Sequence, residues 1–184
     1  MSSSSKKARL IKAAKSLIHQ QGFGVTTLAD ISDVSGVPLG NIYYYFKTKE
    51  DLGAAVIEER RDSFTDLFAK LEHEKDPRTR LIDYIDAMNG HRQETAKHGC
   101  PVGSLCQELA KTHPSLAEKI DAVIQLQLEW ASRQFELMGE SKAQDYGMQM
   151  ITTLHGASIV SNALKNETIM SQQAQRLQEW IRAM

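Results

Sequence analysis

Residues 26–52 read TTLADISDVSGVPLGNIYYYFKTKEDL, and this stretch decides the fold. Thr26 and Thr27 stand just before an apolar-periodic run from Leu28 to Val34. A hydroxyl there accepts a hydrogen bond from an otherwise orphaned amide, which starts a short helix. The run ends in Ser35-Gly36-Val37-Pro38, a turn followed by a second helix start, because proline's missing N–H costs nothing in a first turn. That second helix carries Tyr43, Tyr44 and Tyr45 in succession, ahead of Phe46. A buried helix favours Leu or Ile at such places, since a phenol taken out of water needs a partner. The expectation is that at least some of these rings reach something polar, while at least one packs into a core with Ile31, Ile42 and Phe46.

Upstream, Leu10, Ala14, Leu17 and Ile18 form one apolar stripe between Lys6 and Gln21, and Gly22 stops it. A supporting helix followed by two short helices around a glycine turn is a helix-turn-helix unit. In that geometry the second helix lies in the DNA major groove with its first residues against base edges, while the first helix crosses the backbone. Tyrosine hydroxyls on such a helix meet phosphate oxygens, and Lys47 and Lys49 add charge-assisted contacts. The charge distribution agrees. Residues 1–49 hold seven cations and two anions, a net +5, which leaves −6 for the remainder of a chain whose net charge is −1. A basic head on an acidic body suits a polyanionic partner of the head. The four serines from Ser2 to Ser5, with Lys6 and Lys7, are expected as a loose tail that gains phosphate contacts on DNA.

The stretch from Thr26 to Leu52 resembles the DNA-binding signature of the TetR family of bacterial transcriptional regulators, through Thr27, Ile31, Ser35-Gly36-Val37, Gly40, Tyr43, Phe46, Lys49, Glu50 and Leu52. The likeness runs from about residue 6 to residue 55. It implies an all-α protein: a three-helix DNA-binding domain over 1–50, and an effector-binding and dimerisation domain over 51–184 whose last two helices form a homodimer. The implied partner is double-stranded operator DNA with a near-palindromic site, and the implied role is a repressor released by a small-molecule or electrophile effector. By the same resemblance, Thr27 caps the second helix within reach of a phosphate, and Leu39 and Gly40 approach bases at the tip of the recognition helix. Asn41 faces adenine or phosphate. Tyr43, Tyr44 and Tyr45 lie near the backbone, and Lys49 binds phosphate. Two positions depart from the pattern. Pro38 stands where a serine or threonine often caps the recognition helix, and Leu39 lacks the charge that many members carry.

The rest of the chain has the helical period, with no convincing alternating strand. A long helix begins near Lys49 and ends at Asp76-Pro77. One over Leu81, Tyr84, Ile85 and Met88 fades near Lys97 to Gly99, and a short one covers Ser104 to Lys111. Two more follow, Ser115 to Met138 and Lys142 to Lys165, and Thr168 caps the last. Hydrophobic residues make up 41% and charged ones 24%, and no apolar run approaches the length a membrane span needs. No secretory signal is visible, so the expected compartment is the cytoplasm, with Cys100 and Cys106 reduced.

An effector domain is a mostly apolar cavity with a few polar groups. From the first middle helices its candidate lining is Tyr84, Met88, His91, Cys100 and Leu105; from the later ones it is Trp130, Gln134, Met150 and His155. Cys100 lies between a helix end and a helix start, near Lys97 and His98, where cations and a helix N-terminus lower a thiol pKa. Its segment, KHGCPVGSL, also resembles a cysteine-bearing stretch in some TetR-family regulators that answer to reactive electrophiles. Gly156, Ala157, Ser158 and Ala163 permit another helix to approach, and Met170, Leu177, Trp180 and Ile181 stripe the last helix, as a two-fold dimer requires. The alternative body is a protein-interaction module without a ligand. Catalysis needs a nucleophile with a base, or a metal cluster. Cys100 with His98 or His155 is the one thiol pairing to consider, and no metal, cofactor or enzymatic activity is expected.

Overall fold

The computed structural model describes residues 3–184, with side chains from Ser5 onward. Among the described residues it has ten helices and no strand: α1 (Ser3–Gln21), α2 (Leu28–Ser35), α3 (Leu39–Tyr45), α4 (Lys49–Leu71), α5 (Pro77–Gly90), α6 (Arg92–His98), α7 (Gly103–Thr112), α8 (Pro114–Leu137), α9 (Ala143–Ala163) and α10 (Thr168–Arg182). The chain forms two compact units. One holds the residues up to Asp62 together with Ser104–Ala122, and the other holds Ser63–Gly103 and Val123–Met184.

In the first unit the apolar stripe of α1, Leu10, Ala14 and Ile18, is buried, as are Ile31, Val37, Ile42, Phe46, Leu52 and Val56. Leu105, Leu109, Leu116 and Ile120 from the later segment are buried as well. Polar ties supplement this burial: the Arg9 guanidinium donates to the Ser35 carbonyl, and Lys15 pairs with Glu59 at 2.6 Å. Helix α1 starts earlier than its apolar stripe does. Ser2 lies outside the described residues, but Ser3 to Ser5, Lys6 and Lys7 belong to α1 and not to a loose tail. The Lys7 ammonium sits 5.8 Å from the Phe46 ring centroid, a contact that favours the ordered arm.

The second unit is built on an aromatic core. Phe68 stacks on Trp130 with centroids 4.5 Å apart, and Tyr84 lies against both rings. Met150, Leu154, Met170, Leu177 and Ile181 extend this core along α9 and α10. Two boundaries differ from the sequence expectation. The helix over Leu81–Met88 does not fade but breaks at His91, and α6 restarts at Arg92. At the final helix Thr168 is the first helical residue and makes no cap; Asn166 Oδ1 takes that role, accepting from the Thr168 N–H at 3.0 Å and its hydroxyl at 2.7 Å.

Candidate functional site

Helix α2 is started by a reciprocal cap. The Asp30 N–H donates to Thr27 Oγ1 at 3.1 Å, and the Thr27 N–H donates to Asp30 Oδ2 at 2.9 Å. The backbone and hydroxyl of Thr27 hold the Asp30 carboxyl below its ordinary pKa, with the charge of Lys49 adding to them and burial opposing. Such a cap satisfies two orphan amides at once. Gly36 ends α2 in the left-handed region at φ 62, where glycine is at no steric disadvantage, and its N–H donates to the Ser32 carbonyl. Pro38 then opens α3 without a side-chain cap.

The faces of α3 are cleanly separated. Ile42 and Phe46, four residues apart, are buried, whereas Leu39, Gly40, Asn41, Tyr43 and Tyr44 are exposed. Tyr44 is 74% exposed, and its ring meets the half-buried Tyr45 edge-on at 5.0 Å. No tyrosine of the three is a core residue, because Ile42 and Phe46 already occupy the inward face. The Lys47 ammonium is exposed and donates to the Tyr43 carbonyl at 3.2 Å. Two of the expected contact residues are turned to other work. Thr26 is fully buried, with its hydroxyl donating to the Gly22 carbonyl at 2.7 Å, so its side chain braces the turn before α2. Lys49 donates to the Gly24 carbonyl at 3.0 Å and lies 4.6 Å over the Phe23 ring, which draws it into the unit.

The sequence comparisons fall on the same residues. The family described as bacterial regulatory proteins, tetR family, matches residues 10–56. Residues 10–56 therefore carry the DNA-binding segment of the TetR family. It is 28% identical over 161 residues to the HTH-type transcriptional regulator TtgR of Pseudomonas putida, covering 82% of this chain and 77% of that one. It is also 31% identical over 111 residues to an uncharacterised HTH-type regulator of Lactococcus lactis, spanning about half of that relative's length (55%) and 56% of this chain. Among solved structures, a TetR-family regulator from Agrobacterium tumefaciens shares the fold with a TM-score of 0.86 at 23% identity, covering 96% of this chain and 97% of that one. The chain is thus a helix-turn-helix transcriptional regulator. Among its described residues, no helix is long and apolar enough to cross a membrane.

The second unit brings together four of the nine residues expected around an effector. Cys100 Sγ lies 3.6 Å from His155 Nδ1 and accepts from the Gly103 N–H at 3.3 Å. Burial pushes the Cys100 thiol up, but the hydrogen bond and charge of His155 and the amides of Gly103 and Val102 outweigh it, leaving the thiol below its usual pKa. The phenol of Tyr84 feels the charge of Cys100, and burial before that charge drives its pKa far up. Its hydroxyl donates to Gln127 Oε1 at 2.8 Å. Trp130 packs against Tyr84, and its buried indole N–H has no hydrogen-bond partner among the described residues. The other five are placed differently. His91 is exposed at the α5–α6 break. Leu105 is buried in the first unit. Gln134 accepts from Arg80 Nη1 at 3.1 Å, Met150 is buried in the core, and Met88 packs at its edge. Sequence reasoning missed Gln127, a buried glutamine that reads as an ordinary solvated residue of α8. It also missed Asn162, which caps α6 by donating to the Ala96 carbonyl at 3.0 Å.

Proposed function

We propose that this protein is a cytoplasmic, homodimeric repressor that reads a near-palindromic operator through α3 and leaves it when the second unit is modified or liganded. The observation that carries this reading is the division of α3: Ile42 and Phe46 hold the helix from behind while Leu39, Gly40, Asn41, Tyr43 and Tyr44 stand free. Thr27, Pro38 and Lys47 flank that face. Leu39 suits a thymine methyl, Asn41 an adenine edge or a phosphate, and the phenols suit phosphate oxygens. Tyr45 and Lys49 lie at the rim, and Thr26 supports from behind. Residues 1–50 read the DNA, and 51–184 carry the effector and dimer functions while lending Ser104–Ala122 to the first unit.

The dimer surface in this reading is the outer face of α9 and α10. Met148, Ile159, Val160 and Leu164 are exposed there, and a groove of about 300 Å³ runs between Thr152, Gly156, Val160, Ile169 and Gln173. A Cβ at Gly156 would meet nothing within 4 Å, which leaves room for a helix of a second copy. Two α3 helices must then lie roughly 34–36 Å apart to enter successive major grooves. An effector that favours another spacing weakens binding by its differential affinity for the two states.

The effector side of the proposal rests on the Cys100–His155 pair. A Cys100 thiolate adds to the β-carbon of an α,β-unsaturated carbonyl; the displaced π electrons pass to the α-carbon, which takes up a proton, and a carbon–sulfur bond replaces the double bond. The test is selection of duplexes from a random-sequence pool by the full-length protein, followed by titration in rising salt. Enrichment of a two-fold site, a steep loss of affinity with salt and release by N-ethylmaleimide in the wild type but not in Cys100→Ser are expected. No enrichment, or affinity indifferent to salt, refutes the DNA reading; release of Cys100→Ser refutes the thiol.

A further inference from the structure

The segment Ser104–Ala122 is far along the chain from α1–α3 but belongs to the same compact unit. The carboxylate of Glu108, on α7, meets the α1–α2 turn. Glu108 Oε2 accepts from the Phe23 N–H at 2.8 Å, and Oε1 accepts from the Gly24 N–H at 2.6 Å. The two amides follow Gly22, which is left-handed at φ 94, and together they present adjacent donors to one anion.

Around this contact the side chains are closely fitted. The Phe23 ring is buried, and a Cβ at Gly53 would lie 2.6 Å from its edge and 3.3 Å from Leu116. His113 meets the ring edge-on at 5.0 Å, and Lys49 covers its face. Lys49 also donates to the Gly24 carbonyl, and Thr26 to the Gly22 carbonyl. The three residues 22–24 are therefore the point from which α1 ends, α2 begins and the first turn of α4 is held. Helix α3 lies between α2 and α4 in the chain, so its placement depends on this turn.

We propose that Glu108 is a positioning residue for DNA binding: its bidentate grip on Phe23 and Gly24 sets the turn that aims α2 and α3. The inference rests on the reading that α3 meets DNA. Core burial is a separate matter, because the Gly24 contact is exposed and breaking it leaves the apolar seat of Phe23 in place. Both carboxylate oxygens accept. In Glu108→Gln one of them becomes an NH2 group facing an N–H, so one bond is lost and a donor opposes a donor. Glu108→Asp keeps both acceptors on a shorter stem.

The experiment uses the full-length protein and a duplex that the wild type itself enriches from a random pool. Amide hydrogen exchange at Phe23 and Gly24 is measured beside DNA affinity and thermal midpoint for wild type, E108Q and E108D. For E108Q the expected results are exchange at those two amides about tenfold faster, DNA affinity about tenfold weaker, and a protein that remains folded at the assay temperature. E108D should fall between E108Q and wild type in both readouts. Wild-type affinity in E108Q, or weakened binding without faster exchange at Phe23 and Gly24, overturns the proposal alone. A wild type that enriches no duplex overturns the DNA reading and the proposal with it. Should E108Q fail to fold, E108D is judged by the same two criteria.

Discussion

Replacing Gly40 by alanine separates the demands of the free protein from those of DNA. Gly40 is the second residue of α3 and exposed, and a Cβ built on it meets nothing within 4 Å. In the free protein the change removes only the conformational entropy of glycine, which in a helix interior is worth up to about 1 kcal/mol. In a first turn about half of that is a reasonable share, so the thermal midpoint should rise by about 1–2 °C for a chain of this size. At the duplex the sign reverses. If the tip of α3 enters the major groove, the open space beside Gly40 is where base edges lie, and a methyl group there pushes the helix outward. Losing one well-aligned base contact costs about 1–3 kcal/mol, or roughly 5- to 150-fold in affinity.

Differential scanning fluorimetry and fluorescence anisotropy on a selected duplex, at one fixed salt concentration, read the two effects separately. A variant that melts higher and binds DNA as tightly as wild type would refute the close approach at Gly40. A variant that melts lower would show that the space beside Gly40 is not free in the folded protein.

Three further outcomes follow from particular contacts. Gly53→Ala gains helix propensity but drives a methyl to 2.6 Å from the Phe23 ring; overpacking at about 1–3 kcal/mol should win, and calorimetry showing an unchanged or raised midpoint would refute it. Asp76 caps α5 by accepting from the Arg78 and Thr79 amides at 3.2 Å each, so Asp76→Ala should lose about 1 kcal/mol at neutral pH. The Thr79 hydroxyl chiefly holds the Asp76 carboxyl low, so that contribution is present above the unfolded carboxylate pKa of about 3.9 and disappears as pH falls through the lower folded value. Urea unfolding should therefore show the deficit at pH 7 and none in strong acid; a deficit that persists there refutes the assignment. Because His155 lowers the Cys100 thiol, His155→Ala should move the midpoint of the iodoacetamide rate–pH profile upward, and an unmoved midpoint would remove His155 from the pair.

What could be read from the sequence was local. Thr27, Gly36 and Pro38 specify their caps and turn within a few residues, and Ile42 and Phe46 occupy one helical face, so α2–turn–α3 is visible without coordinates. What escaped depends on partners distant in the chain. Thr26 and Thr27 are equivalent as cap candidates, yet Thr26 faces the Gly22 carbonyl inside the unit. The lysine expected on phosphate, Lys49, is drawn inward by Gly24 and Phe23. The sequence left His98 and His155 open as partners of Cys100; His98 lies 3.9 Å from Glu94, and the imidazole at the sulfur is His155, from α9. The aromatic stack of Phe68, Tyr84 and Trp130 joins three helices whose periodicity shows only that each has a buried face.

Charge points the same way about the head itself. The match to the tetR family ends at residue 56, but the compact unit carrying α3 is completed by Ser104–Ala122, which buries Leu105, Leu109, Leu116 and Ile120. A fragment ending near residue 62 would keep the cations of the basic head and lose both those four side chains and the Glu108 carboxylate. Exposing four leucine-sized residues' worth of seat costs several kcal/mol at about 1.5–3 kcal/mol for each fully buried side chain, comparable with the whole stability of a domain that small. If α3 reads DNA as proposed, its reading shape depends on Ser104–Ala122, a segment that the sequence assigns to the body.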